Sequence, residues 1–417
     1  YRREDYDTRI NYAHDRKVTV FGYAETATGL GALVAEYIEG ADYIHSTRYP
    51  VAGIPNYGSF DESHSHASVH HITPTDVSIL DDPERSLVLV DDELSTGNTI
   101  MNTIRLFHSR SQHKKYYIAT LTDLRTEEAH ELFKAFEAEL GIEVHVFSLI
   151  SAELDVPVDS VARATPILDE LKEFTEPFYP VKKGVVRVHK LPDHPGSLSV
   201  GMTEGMFSLR AKAHETVQLL SPQKGEKVLV LGIEEDMYFP LLVARELELH
   251  SESEVFFSSS TRSPVVTYND EGYAIRERIR YSVPDDDTAR YVYNVDDSYD
   301  RIILIMEDRD ATTRHAELVD ILASRNKTHV EIVEGQKAPV KTHKPALSSP
   351  EFGSYPTDDV QWLLKDLSNA ELEAPTEERE EAIQNGGAHY AESLPVEFIP
   401  SEAYTELFKE SLAANKT

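Results

Sequence analysis

The order in which apolar runs and helical stretches follow one another narrows the choice of fold more than any other feature, and that order comes twice. Lys17–Gly22 (KVTVFG) is a short apolar run ending in glycine, followed by a Thr-rich turn and a helix-like stretch to about Ile38. Ala41–Ser46 reads as a second strand. Val51–Thr73 is rich in Gly, Pro, Asn, Ser and His, has no period and reads as loop. Ser86–Val90 reads as a buried strand that leads through acids and a turn into a helix from about Thr99 to His108. Strands at Tyr116–Leu121 and Glu143–Ile150 bracket a helix from about Glu127 to Leu140. Such alternation predicts an α/β fold with a parallel sheet flanked by helices on both faces.

Pro180–Gly205 reads as a connector, and the alternation resumes from Gly225 to about Ile332. The second stretch echoes the first. VTVFGYAETATGLGALVAEYIE aligns with VLVLGIEEDMYFPLLVARELE, placing Gly22 on Gly232. YIHSTRYP aligns with FSSSTRSP, placing Arg48 on Arg262. SLVLVDDELSTGNT aligns with RIILIMEDRDATTR, placing Ser86 on Arg301. Three matches in one order, with slowly drifting offsets, predict a duplicated unit whose second copy is degenerate. Asp310 stands where the first copy has Ser95, and Arg314 where it has Thr99. An anionic side chain there would repel phosphate. Gln336–Pro350 reads as a second linker, and Glu351–Thr417 as mostly helical and polar. The expected boundaries are therefore 1–180 for the first domain, 181–210 for a linker, 211–335 for the degenerate copy and 336–417 for a linker with a helical segment.

Composition excludes several functions. The chain carries 73 acidic against 41 basic residues, a formal net charge of -32. That balance argues against nucleic acid or an anionic membrane as the main partner. Solubility is its simplest meaning. It also obliges any anionic ligand to find local help from backbone N–H groups, Arg side chains or a metal ion. Cysteine is absent, which removes disulfides, Cys-based zinc sites and thiol nucleophiles, and fits the cytoplasm. No apolar run reaches about 18 residues, so no membrane span is expected. Tyr1–Asp7 is too polar for a secretory signal. A first residue that is not Met leads to the expectation of processing or of a longer fusion.

The stretch Leu87–Thr99 carries the most chemistry. A strand of Leu and Val delivers Asp91 and Asp92 to the carboxyl edge of the sheet, where ligands of open α/β sheets bind. Ser95, Thr96, Gly97, Asn98 and Thr99 then form a turn opening a helix, whose unpaired N–H groups and dipole attract phosphate. Gly97 permits close approach and a positive φ. Two carboxylates beside such a nest need another partner, and vicinal ribose hydroxyls suit them. A plain capping turn explains the Ser, Thr and Gly but not the acid pair. Tyr23–Gly29 (YAETATG) holds a second loop, Ala24, Glu25, Thr26, Ala27, Thr28 and Gly29. It is readable either as a ligand loop or as an ordinary helix start. Glu62–His70 (ESHSHASVH) contains His64 and His66, with His71 next to it. A metal site, a closing lid with His as donor or proton shuttle, and a solvated loop remain three readings of it.

The strand, acid pair and Ser/Thr-Gly-x-Thr loop resemble the phosphoribosyl pyrophosphate (PRPP) motif of type I phosphoribosyltransferases; Glu93 departs from it, standing where the pattern is apolar. GYAETATGLG, YIHSTR, the HSHA loop and LVDDELSTGNT together resemble the orotate-phosphoribosyltransferase-like proteins of bacterial and phage tellurite-resistance (ter) stress gene clusters. LGIEEDMYFP and SSSTRSP resemble the TRSP domain that follows in those proteins. FGSYPTDDVQWLLKDL at Phe352 and REEAIQNGGAHYAESLPVEFIPSEAY at Arg379 resemble the opening of the StiP family. That family is sometimes labelled a cysteine protease, a role this Cys-free chain does not support.

The resemblance implies a type I phosphoribosyltransferase-like sheet and transfer of ribose 5-phosphate between PRPP and a nucleobase-like acceptor, in either direction, in stress-linked nucleotide metabolism. It implies that Asp91 and Asp92 hold ribose, and Mg²⁺ through the ribose and pyrophosphate, that Ser95–Thr99 hold the 5-phosphate, and that Ala24–Gly29 and Arg48 hold pyrophosphate. It further implies PRPP and a small base as partners, within a homo-oligomer or a larger fusion or ter-cluster complex. The alternative is a non-catalytic sensor or scaffold, of phage origin for example, that binds PRPP or a nucleotide.

Overall fold

The computed structural model describes residues 17–49, 56–61, 69–74, 76–160, 162–166, 186–190, 199–200, 202–284, 286–306, 311–324 and 329–334. The first copy runs β1 (Val18–Gly22), α1 (Ala27–Glu36), β2 (Asp42–His45), β3 (Gly58–Asp61), β4 (Val69–Ile72), α2 (Ser78–Asp81), β5 (Ser86–Leu94), α3 (Asn98–Ser111), β6 (Lys115–Asp123), α4 (Glu127–Leu140) and β7 (Glu143–Ser151). Then come β8 (Val186–Lys190), β9 (Ser199–Val200) and α5 (Met202–Leu220). The second copy runs β10 (Lys227–Gly232), α6 (Tyr238–His250), β11 (Glu254–Ser259), β12 (Arg278–Val283), β13 (Asp286–Tyr293), β14 (Arg301–Met306), α7 (Ala311–Arg314), α8 (Ala316–Ser324) and β15 (His329–Glu334).

Local chemistry sets the element ends. Thr126 caps α4 by accepting from the Ala129 N–H at 3.3 Å, Glu127 and Glu128 complement the dipole, and Gly141 closes the helix at a φ of 62°. In β1 all five residues are buried, so both faces of the sheet are covered, as the sequence predicted.

The first sheet has the order β7-β6-β5-β1-β2, all parallel, with β9 added antiparallel to β2. The second has the order β11-β10-β14-β15-β8, all parallel. Strand order reverses between β1 and β5, and again between β10 and β14. At such a switch point the helices leave to opposite faces and a crevice opens above the strand ends. One buried cluster runs from Val18 and Val20 through Ala32 and Ala35 of α1, Leu209 and Val217 of α5, and Phe239 and Val243 of α6 to Val228, Val230 and Ile303. The two copies therefore share a helical layer and a core. Phe21, Leu87 and Leu89 face the opposite way, onto Ile104 and Phe107 of α3 and Phe133 of α4.

The structure departs from the sequence reading in three places. Strand β5 continues through both acids to Leu94, because Asp91, Glu93 and Leu94 keep their pairing with β6. Within Val51–Thr73, β3 and β4 form an antiparallel hairpin. Its four-residue strands are too short to show a period, and Tyr57, Phe60 and Ile72 anchor it in the α3 core. Pro180–Gly205 is more than a connector: the alternating Val186 and Val188 make β8 the edge of the second sheet, while β9 joins the first. The helical expectation for 336–417, and residue Asp310, lie outside the described residues. No described helix is long and apolar enough to cross a membrane.

Candidate active site

A cavity of about 310 Å³ opens at the switch point of the first sheet, above the carboxyl ends of β1 and β5. That volume lies within the range of small-ligand sites. Its floor is the segment Asp91–Ile100. The Asp92 N–H donates to Asp91 Oδ1 at 3.1 Å, and Thr26 Oγ1 donates to Asp92 Oδ1 at 3.0 Å, so the acid pair is tied to the β1 loop. Gly97 sits at the N-cap of α3 with a φ of 74°. A Cβ there would come within 2.2 Å of the Phe133 ring, so both conformation and space require glycine. The Gly97 N-cap offers no side chain, Thr96 Oγ1 accepts from the Asn98 N–H at a long 3.4 Å, and the first turn holds no acid. Its leading N–H groups and positive dipole end are thereby presented beside the cavity.

The wall is built by Tyr23, Ala24, Glu25 and Thr26 after β1, by Arg48 after β2, and by His70 of β4. Burial holds the Tyr23 phenol well above its usual range, and the nearby Asp91 charge adds to the shift, so the hydroxyl stays protonated. His70 is buried against the Phe60 ring, with Nδ1 3.0 Å from Ser46 Oγ. Arg48 Nη1 lies 3.6 Å from Glu25 Oε2. Among the described residues, four carboxylates (Glu25, Asp91, Asp92, Glu93) line the cavity against the single guanidinium of Arg48.

The second copy reaches into this site. Glu25 is buried, and its Oε2 accepts from Thr261 Oγ1 at 2.5 Å and from the Arg262 N–H at 3.3 Å. Burial raises its pKa; Arg48 opposes the shift and Glu234 adds to it. The contact is reciprocated. Glu235, the counterpart of Glu25, accepts from Thr47 Oγ1 at 2.7 Å and from the Arg48 N–H at 2.6 Å. Two like surfaces exchanging the same contacts is the pattern of a two-fold interface, here within one chain. Ser263 completes the cavity wall.

The structure thus brings together Asp91, Asp92, Arg48, Ala24, Glu25, Thr26 and Ser95–Thr99. It does not bring Ala27, Thr28 and Gly29 to the cavity. They form the buried first turn of α1: Ala27 packs in the first copy's own core, Thr28 Oγ1 donates to the Glu235 carbonyl at 3.0 Å, and Gly29 lies beside Met237. His64 and His66 lie outside the described residues. Tyr23, Ser263 and the lining role of His70 are additions. Only the repeated Ser-Thr-Arg motif hinted at Ser263, since its contribution comes from the other copy.

Three successive segments of the chain match known families. Residues 4–153 match the family PRTase_2, described as phosphoribosyl transferase. Residues 201–322 match the TRSP domain, described as C-terminal to PRTase_2. Residues 353–417 match StiP, described as a tellurite-like stress resistance cysteine protease. No curated protein is matched by the chain. Among solved structures, adenine phosphoribosyltransferase from Trypanosoma brucei, in complex with AMP, pyrophosphate and ribose-5-phosphate, aligns with 14% identity and a TM-score of 0.24. That alignment covers 36% of this chain and 68% of that one. The adenine phosphoribosyltransferase of Saccharomyces cerevisiae aligns with 13% identity and a TM-score of 0.22, covering 32% and 68%.

Proposed function

We propose that this chain, in which a phosphoribosyl transferase segment, a TRSP segment and a StiP-type segment follow in order, binds PRPP above β1 and β5 and transfers its ribose 5-phosphate to a ring nitrogen of a nucleobase-like acceptor, or runs the reverse reaction. One observation carries the reading. The acid pair Asp91–Asp92 and the glycine-led start of α3 border the same cavity as the Tyr23–Thr26 loop and Arg48. That is a place for a diol, a phosphate and a second anion side by side.

The donor set also fits a hard divalent cation. Carboxylate oxygens are its preferred ligands, and four carboxylates against one guanidinium leave an anionic ligand in need of positive charge. Magnesium would be held at Asp91 and Asp92 and would supply positive charge for the departing pyrophosphate. The chain's own residues do the rest. Backbone N–H groups from Ser95 to Thr99 fix the 5-phosphate. Asp91 and Asp92 accept from the ribose hydroxyls, and their negative charge favours the positive charge that develops on the ribose. Arg48 and the N–H groups of Glu25 and Thr26 meet the negative charge that gathers as the C1–oxygen bond breaks, since the Tyr23 and Ala24 N–H groups are held by the Val90 carbonyl and Ser46 Oγ. The acceptor nitrogen then forms the new C1–N bond. Catalysis of this kind rests on positioning and charge, with no covalent intermediate on the protein. The TRSP and StiP-type segments support a stress-linked role in nucleotide metabolism.

Calorimetric titration with PRPP and Mg²⁺ tests the reading. Heat is expected from the native chain and lost in the Asp91→Asn/Asp92→Asn double variant; equal heats would remove the proposal. Pyrophosphate release with candidate bases separates a transferase from a sensor, since binding without release leaves only the sensor.

A further inference from the structure

The same internal hydrogen bonds recur around the two crevices, so their residues can be matched one to one. The Ser46 N–H donates to the Gly22 carbonyl at 2.9 Å, and the Ser260 N–H to that of Gly232 at 3.0 Å. The Ala24 N–H donates to Ser46 Oγ at 2.9 Å, and the Glu234 N–H to Ser260 Oγ at 3.0 Å. Thr47 and His71 exchange both backbone bonds, as do Thr261 and Tyr291. The Tyr49 N–H donates to Thr47 Oγ1 at 3.1 Å, and the Ser263 N–H to Thr261 Oγ1 at 3.1 Å. Ala24 thus corresponds to Glu234, His70 to Arg290, and Tyr49 to Ser263.

Each copy lends the last of these residues to the crevice of the other. Tyr49 enters the second crevice. Its hydroxyl donates to Glu234 Oε2 and lies 3.3 Å from Arg290 Nη2, and the Arg262 guanidinium stacks 4.4 Å over its ring. Arg290 is fully buried on Glu234 and Asp286. Ser263 is the residue returned to the first crevice, whose lining also includes Ala24 and His70; the correspondence with Tyr49, Glu234 and Arg290 sets it against them.

We propose that residue 263 decides which copy binds ligand: Ser263, supplied by the second copy, keeps the first crevice open at its Glu25 end, while its counterpart Tyr49 fills the second. Among the described residues the chain then offers one PRPP-class site, and the TRSP segment is part of that site's wall. The placement follows from chemistry as well as symmetry. The Ser263 backbone is pinned on both sides, its N–H on Thr261 Oγ1 and its carbonyl accepting from Tyr293 Oη at 2.6 Å. Thr261 is itself held by Glu25. Residue 263 is therefore held at the end of the cavity bounded by the Tyr23–Thr26 loop. A ligand that extends to that end meets it, and a bare sugar phosphate does not.

The inference rests on the cavity being the PRPP site, and its test separates the two ideas. In Ser263→Tyr, PRPP binding is expected to weaken by about ten- to a hundredfold, the scale of an overpacked site. Ribose 5-phosphate should bind as it does to the native chain. If Ser263→Tyr melts early, Ser263→Cys in this thiol-free chain allows a bulky maleimide to be added after folding, with the same selective loss expected. PRPP binding unchanged in both variants, or equal loss of both ligands, overturns the proposal. Should the native chain bind neither ligand, the PRPP reading fails, and a crystal structure of Ser263→Tyr still decides this one. The new ring must seat against Ala24 and His70, and a ring turned to solvent overturns it.

Discussion

The crevice over β1 and β5 and the crevice over β10 and β14 begin from the same backbone and end as opposites. In the first, Asp91 and Asp92 are half-buried and Glu93 is exposed on a cavity floor. In the second, Glu234 and Asp286 lie against Arg290 and Arg262. Burial pushes the Glu234 carboxyl up, but the two guanidiniums outweigh it and hold it at about 2. Asp286 is likewise held at about 2: burial raises it, and hydrogen bonds from Thr288 and Arg290 lower it further. The lesson is electrostatic. Among the described residues, the second crevice pairs and buries its charges, whereas the first leaves an acid pair facing a cavity that remains able to take a ligand.

The sharpest way to break that comparison is to unbalance the second crevice. Arg290→Ala leaves Glu234 buried without its main partner, and such losses cost about 3–5 kcal/mol. Urea unfolding should show a drop of that size, and the Arg290→Ala/Glu234→Ala double variant should recover part of it. A loss below about 1 kcal/mol would mean that the ion cluster does not hold the crevice shut.

Much of this was legible in the sequence, and the remainder has a common cause. The strand, acid pair and glycine of Leu87–Thr99 are local, so periodicity and turn chemistry exposed them. The repeat was visible because Gly22 and Gly232, and Arg48 and Arg262, kept their identities. Tyr49 on Glu234, Thr261 on Glu25 and Thr28 on Glu235 join residues 185 to 236 positions apart. No local pattern encodes them. The charge of Glu25 in a pyrophosphate loop pointed to metal-bound water or another loop as its partner, but no local pattern identified that loop as Thr261–Arg262 of the second copy, and β8 read as linker although it completes a sheet whose other strands begin some 40 residues later.

A second contrast lies in the helical segments that follow β5 and β14. Ile100 is buried in the first copy, and its counterpart in the second is His315, buried against the Tyr281 ring. Burial lowers the His315 pKa from 6.5 to about 4. The folded state therefore favours the neutral ring. The stability this contributes is complete above pH 6.5 and is lost as the pH falls through about 4. The shift is worth about 3 kcal/mol when fully expressed. Melting temperature should fall between pH 6.5 and 4.5, before Glu234 and Asp286 begin to titrate, and His315→Ile should flatten that part of the profile. An unchanged slope in the variant would place the titrating group elsewhere.

The smallest expected effect separates the two reciprocal clamps. Glu235 uses both oxygens, one on Thr47 Oγ1 and one on the Arg48 N–H. Glu25 uses only Oε2, and its Oε1 has no hydrogen-bond partner among the described residues. A glutamine keeps one good acceptor, so Glu235→Gln weakens one of two charge-assisted bonds and should cost about 1–2 kcal/mol. Glu25→Gln keeps the acceptor for Thr261 and Arg262 and removes a charge that burial already disfavours, so it should stay within about 0.5 kcal/mol of the native chain. Urea midpoints of the two variants decide the matter. Equal losses would show that the clamps are equivalent, and that the asymmetry between the copies begins only at the crevices themselves.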